Sequence, residues 1–253
     1  MAHSLKKCIY ALMSIWIGMI QCQREPERIT VNIKIAPEVD GAPVAYDQIN
    51  YTNEAGESYS IEKCEFYLSD VQLIRKDDSI YGTLTAHYLS TRNNRLSIPI
   101  YNVPTGTYKA LRFVFGVAPA YNTTGYLPNN PENINMAWPD MMGGGYHHMK
   151  LEGKFVNNND TANYATHMGD LMKNGQRYIT SFAVELPLNN ESIRQGRSTI
   201  VIAMNINEWY KNPHTYSFAH FHANGSGIMA NPTALTTLKE NGMDVFSIKE
   251  IKD

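Results

Sequence analysis

Short stretches in which apolar and polar residues alternate recur along this chain, and they constrain it to a fold built mainly from strands. Val31, Ile33 and Ile35 alternate with polar neighbours, as do Leu96, Ile98 and Ile100. Leu111, Phe113, Phe115 and Val117 form another stripe, launched by the turn Pro104-Thr-Gly106. Successive side chains of a strand point to opposite faces, so each stripe marks one buried face. In the run Thr199 to Ile206, Ile200, Ile202, Met204 and Ile206 are matched by Val201 and Ala203 opposite, which predicts a central strand buried on both faces. Strand character also runs through Tyr59 to Ile74, Tyr146 to Phe155, Tyr164 to His167 and Tyr178 to Leu188. Many short strands with turn signals between them predict an all-β domain, a β-sandwich with long loops and one or two short helices. One helix is signalled by Asn231 as its cap, Pro232 at its first position and Asn241-Gly242 at its end. A second is expected near Asn207 and Trp209.

The chain opens with Lys6 and Lys7, followed by an uncharged apolar stretch from Cys8 to Ile20. That stretch is shorter than the about 20 residues of a membrane-spanning helix. A basic start and a short apolar core are the pattern of a secretory signal. Cys22 stands at its end, ahead of polar residues Gln23 to Glu27. A cysteine at this junction resembles the acylation site of bacterial lipoproteins, although Gln21 stands where a small residue is usual. Residues 1–22 are therefore expected to be a lipoprotein-type signal peptide with lipid on Cys22, and residues 23–28 a tether to the membrane. Residues 29–253 are expected to form a single domain in the cell envelope, periplasmic or on the surface. Cys64 is the only other cysteine of the mature chain, and it reads as a small buried hydrophobe or as a soft metal ligand. A net charge of −2 makes no electrostatic case for nucleic acid.

The residues that could carry chemistry are concentrated between 136 and 222. His220-Phe-His222, if it lies in a strand, projects two imidazoles from one face, an arrangement that suits copper or zinc. His147 and His148 are adjacent, so at most one of them is expected to enter a given site, and His167 lies in the next strand. Met141 and Met142 stand beside Gly143-Gly-Gly145 in the irregular stretch 118–145, and their thioethers suit Cu(I). The scattered aspartates could supply oxygen ligands to calcium, but no motif supports such a site. There is no nucleotide loop, no His-Glu-x-x-His and no Gly-x-Ser-x-Gly, so a binding protein is expected rather than an enzyme. The 16 tyrosines and the glycine-rich loop support an alternative, a surface lipoprotein that binds a glycan, a peptide or a protein partner without metal.

The stretch Met136-Ala-Trp138-Pro-Asp140-Met-Met-Gly-Gly-Gly-Tyr146-His-His-Met-Lys150-Leu-Glu152-Gly153 resembles the central signature of the MbnP-like family. These are exported copper-binding proteins associated with methanobactin and methanotroph surface copper uptake. Tyr67-Leu-Ser-Asp70, Val103-Pro104-x-Gly106-x-Tyr108, Tyr164-Ala-Thr-His167-Met-Gly169 and Asn241-Gly242-x-x-Val245-Phe246-Ser247 resemble other family segments in the same order. The resemblance covers roughly 29–253, and it implies a β-sandwich that binds copper outside the cytoplasm. In relatives a tryptophan is oxidised to kynurenine and joins histidines at the copper, and in some a di-haem partner of the cytochrome c peroxidase type performs that oxidation. Trp138 matches the first aromatic of the signature, and His167 matches the histidine of the histidine–glycine strand. The second tryptophan common in the family is replaced here by Asp140. An indole is not a metal ligand, but ring opening would expose an amine and a carbonyl. The expected donors are thus His147, His148, His167, His220 and His222, with Trp138, Met141 and Met142 modified or lining the site.

Overall fold

The computed structural model describes residues 25–158, 160–223 and 227–253. The expected signal peptide and Cys22 lie outside them. The first half of the domain contains β1 (Arg28–Val39), β2 (Ala42–Pro43), β3 (Tyr51–Thr52), β4 (Ser58–Tyr59), β5 (Lys63–Arg75), β6 (Ile80–Gly82), β7 (Ala86–Ser90), β8 (Ser97–Pro104) and β9 (Gly106–Phe115). After a long connection come β10 (His147–Asn157), β11 (Asp160–Gly169), β12 (Leu171–Lys173), β13 (Gln176–Tyr178), β14 (Phe182–Ile193), β15 (Thr199–Asn205) and β16 (Phe246–Lys252). Strands take 51% of the described residues and helices 14%, so the molecule is mainly β.

Two sheets carry the fold. In the smaller, the order is β16-β15-β1-β2, with β8 also paired to β1. In the larger, it is β14-β9-β5-β10-β4-β3, with β11 on β10 and with β6 and β7 on β5. The predicted central strand is β15, which lies between β16 and a parallel β1 and is buried from Ile200 to Met204. The sheets meet through aromatic side chains. Phe246 of β16 packs edge-on against Phe113 of β9 at 5.3 Å between ring centroids, and lies 5.7 Å from Phe115 of the same strand. All four stripe residues from Leu111 to Val117 are fully buried, as are Val31, Ile33 and Ile35.

The predicted helix spans Pro232–Asn241, and the Asn231 side chain accepts from the Ala234 amide at 3.2 Å. The turn expected near Asn207 is a 3-10 helix, Ile206–Tyr210, which buries Trp209 against Phe115. No helix among the described residues is long and apolar enough to cross a membrane.

The irregular stretch 118–145 is ordered by its own short elements, a helix Pro131–Asn135 capped by Asn130 and a 3-10 turn Asp140–Met142. Its three glycines are required by the backbone. Gly143, Gly144 and Gly145 all have positive φ, at 116°, 67° and 88°. A Cβ on Gly145 would stand 2.3 Å from Asn122 Oδ1. The run therefore packs closely against another part of the same stretch, and the Trp138 amide donates to the Gly145 carbonyl at 2.9 Å.

Candidate metal centre

β10 and β11 form an antiparallel hairpin in which Lys150 pairs with His167 and Glu152 with Ala165. Met149 and Leu151 point into the core, so Lys150 and Glu152 face outward. The register slips between His147 and Met149, a β-bulge that pairs His147 with Gly169 and leaves His148 as the extra residue. A shift of one residue exchanges the two faces of a strand. The bulge therefore places His147, and not His148, on the face that carries His167.

The rings of His147 and His167 lie 5.2 Å apart, edge to face at 85°. Trp138 completes the group, with its indole 4.8 Å from the His147 ring. It occupies the space left by the missing side chain of Gly169, where a Cβ would approach Trp138 Cε3 to 2.4 Å. Trp138 is 2% exposed, and its indole N–H is buried without a hydrogen-bond partner. Such orphaned donors are uncommon in folded proteins. Asp140, at the place of the second family tryptophan, is exposed and accepts a hydrogen bond from Thr124 at 2.8 Å.

Each imidazole is oriented by a hydrogen-bond partner. His147 Nδ1 faces the Met136 carbonyl at 3.1 Å, so Nδ1 carries the proton and the lone pair is on Nε2. Burial, with the positive Lys150 and the His167 ring nearby, pushes its pKa down to about 3 against the smaller opposing pull of the Met136 and Ala137 carbonyls. The ring is neutral at physiological pH, the form that binds metals. His167 Nε2 lies 2.9 Å from Glu152 Oε1. That hydrogen bond, together with Lys63 at 3.3 Å, lowers the Glu152 carboxyl to about 2 despite partial burial. A carboxylate behind an imidazole is the arrangement that commonly orients a metal-binding histidine. Lys150 donates to the backbone carbonyl of Asn135.

The other expected donors lie elsewhere. His148 is fully buried on the opposite face, where Nδ1 accepts from the Val117 amide at 3.1 Å and Nε2 meets Asp170 Oδ1 at 3.0 Å. Asp170 also receives Asn122, Arg177 and the Thr180 amide. Burial alone would raise this carboxyl, but the hydrogen bonds from His148, Thr180 and Arg177 hold it well below the usual range.

The strand expected at His220-Phe-His222 is instead a one-turn helix, Phe218–Phe221. Ser217 caps it by accepting from the His220 amide at 3.1 Å. The turn sends His220 to solvent and His222 inward, so the two rings do not share a face. His222 is fully buried, and its Nε2 lies 3.0 Å from the Tyr216 hydroxyl. Met141 is 88% exposed, while Met142 packs partly against the core. Cys64 is buried opposite Leu151, and burial pushes its thiol pKa far up, so it behaves as a hydrophobe. Among the described residues, no three His, Cys, Asp or Glu side chains are gathered as a metal cage. The outer face offers two imidazoles and an indole.

Reading the sequence alone misses Glu152, Lys150, Gly169 and the Met136 carbonyl as parts of this arrangement. Glu152 carried one local signal: it shares strand parity with Lys150, on the outward face.

The MbnP family profile matches residues 28–230 of this chain. The chain belongs to the MbnP family. MbnP from Methylosinus trichosporium, a solved structure, aligns with it at a TM-score of 0.54 and 12% identity, over 88% of this chain and 98% of that one. At that identity the match shows a shared fold. No curated protein matches the sequence. MbnP proteins are associated with methanobactin copper uptake, and they are generally binding proteins rather than enzymes.

Proposed function

We propose that this MbnP-family protein binds copper at the cell envelope, for acquisition or delivery, with His147 and His167 as the donors. The observation that carries the reading is the pair of imidazoles 5.2 Å apart on one sheet face, one kept neutral by its surroundings and the other backed by a carboxylate. Two imidazole nitrogens suit either copper oxidation state. The donor set fits the family's metal in a second respect. Trp138 lies against His147, so ring opening to kynurenine would place an amine and a carbonyl beside the same imidazole. In this reading a di-haem partner of the cytochrome c peroxidase type supplies the oxidising equivalents, and lipid on Cys22 holds the domain at the membrane. His148, His220 and His222 are left out of the site, and Met141 is an exposed thioether on the neighbouring loop.

The test is a Cu(I) titration against a chromogenic chelator. The wild-type protein is expected to bind one equivalent. His147→Ala and His167→Ala are each expected to weaken binding at least about tenfold, the low end for loss of groups that support a metal site, and His220→Ala is expected to change nothing. Wild-type affinity in both of the first two variants would overturn the assignment.

A second reading, a binding module without metal, draws on a cleft of about 610 Å³ lined by Tyr126, Leu127, Pro128, Ile134 and Tyr146 beside the same loop. Ligand binding that survives chelation and the two histidine substitutions would favour it.

A further inference from the structure

The two imidazoles of the site are fixed by different kinds of group. The proton of His147 sits on Nδ1 because a backbone carbonyl, that of Met136, faces that nitrogen, and no side-chain substitution removes it. The proton of His167 is placed by a side chain. Glu152 Oε1 lies 2.9 Å from Nε2, and an ionised carboxylate can only accept, so the ring must be the donor there. In its neutral form this ring has one N–H, and its lone pair is then on Nδ1. Glu152 is itself anchored, since it pairs with Lys63 across the β5–β10 ladder and the Lys63 ammonium meets the same Oε1 at 3.3 Å.

We propose that Glu152 is the positioning residue of the copper site: by taking the Nε2 proton of His167 it presents Nδ1 as that ring's donor, so copper is held by unlike nitrogens, Nε2 of His147 and Nδ1 of His167. This inference rests on the assignment of His147 and His167 as copper donors. The chain Lys63–Glu152–His167 runs across three adjacent strands, β5, β10 and β11. It ties the orientation of one ligand to the register of the sheet. Glu152 touches no metal in this scheme and acts only through His167.

The experiment uses purified, metal-free protein and two variants. Glu152→Gln keeps an acceptor oxygen at the same reach and removes the charge, whereas Glu152→Met removes the acceptor. Long-range 15N–1H spectra of the histidine rings report the tautomer directly. Wild type and Glu152→Gln are expected to show His167 protonated on Nε2, and Glu152→Met a mixture. Cu(I) affinity is expected to fall about 10- to 100-fold in Glu152→Met, the usual range for losing such a support, and to be largely restored in Glu152→Gln. Normal copper binding with an unchanged tautomer and affinity in Glu152→Met would overturn the role of Glu152 alone. A wild-type protein that binds no Cu(I) would overturn the copper reading, and this role with it.

Discussion

His147 lies on the outer face of the β10–β11 hairpin, beside His167 and Trp138, with a lone pair left on Nε2. Its neighbour His148 lies on the inner face with both nitrogens committed, one to the Val117 amide and one to Asp170. Both rings are buried, at 5% and 0% exposure, so burial does not tell them apart. Hydrogen-bond saturation does. The inner histidine closes a network that contains Asp170, Asn122, Arg177 and Thr180, and it serves the fold. The outer one is kept neutral by its surroundings and retains a donor atom. His222 is set apart by its place, fully buried in an aromatic nest with Tyr164 and Phe218 where its Nε2 meets the Tyr216 hydroxyl.

The largest effect that could break this contrast is on the inner side. Asp170→Ala leaves His148, Arg177 and the Thr180 amide without their shared acceptor, and it should cost about 3–5 kcal/mol, as expected when one partner of a buried pair is removed. Denaturant unfolding measures this, and a loss under about 1 kcal/mol would mean that the inner histidine is not structural.

On the outer side, Gly169→Ala pushes a methyl group into the Trp138 indole. It should cost about 1–3 kcal/mol, as overpacking does, and should alter the tryptophan emission, to which Trp209 is the only other described contributor. Unchanged emission would show that the indole does not need the glycine.

The pH dependence of the metal-free protein sharpens the comparison further. The His147 pKa falls from 6.5 to about 3 on folding. Between those values the unfolded chain binds a proton that the folded chain refuses, so stability declines as pH falls from about 6.5 towards 3. Glu152, lowered from 4.5 to about 2, adds stability that is present above 4.5 and lost as pH falls through that lower window. His147→Gln should flatten the decline between pH 6.5 and 4.5, and a parallel decline in the variant would refute the assignment. The smallest effect is expected for His220→Ala, within about 0.5 kcal/mol as for other solvent-exposed positions, and with no change in copper affinity.

Much of the fold was legible because its signals are local. The stripes at Val31–Ile35 and Leu111–Val117 read correctly because strand parity depends only on a residue's own neighbours. Asn231, Pro232 and Asn241-Gly242 delimited their helix for the same reason. The site was legible only in part. The strand expected at His220-Phe-His222 is a single helical turn, too short to show a 3.6-residue period, and the Ser217 cap that creates it is one serine among many. Glu152 was missed because its partner, His167, stands 15 residues away on another strand. Trp138 was singled out by the family signature, but nothing near it in sequence shows that Gly169 makes its berth.

The sequence by itself determined which stripe residues face inward, that the run Thr199 to Ile206 holds a central strand, and that the chain carries the MbnP signature, since each rests on local pattern. Only the tertiary structure decided that His147 rather than His148 joins His167. That choice depends on a bulge and on the register between two strands, and pairing across a hairpin is set by the sum of non-local packing on both faces.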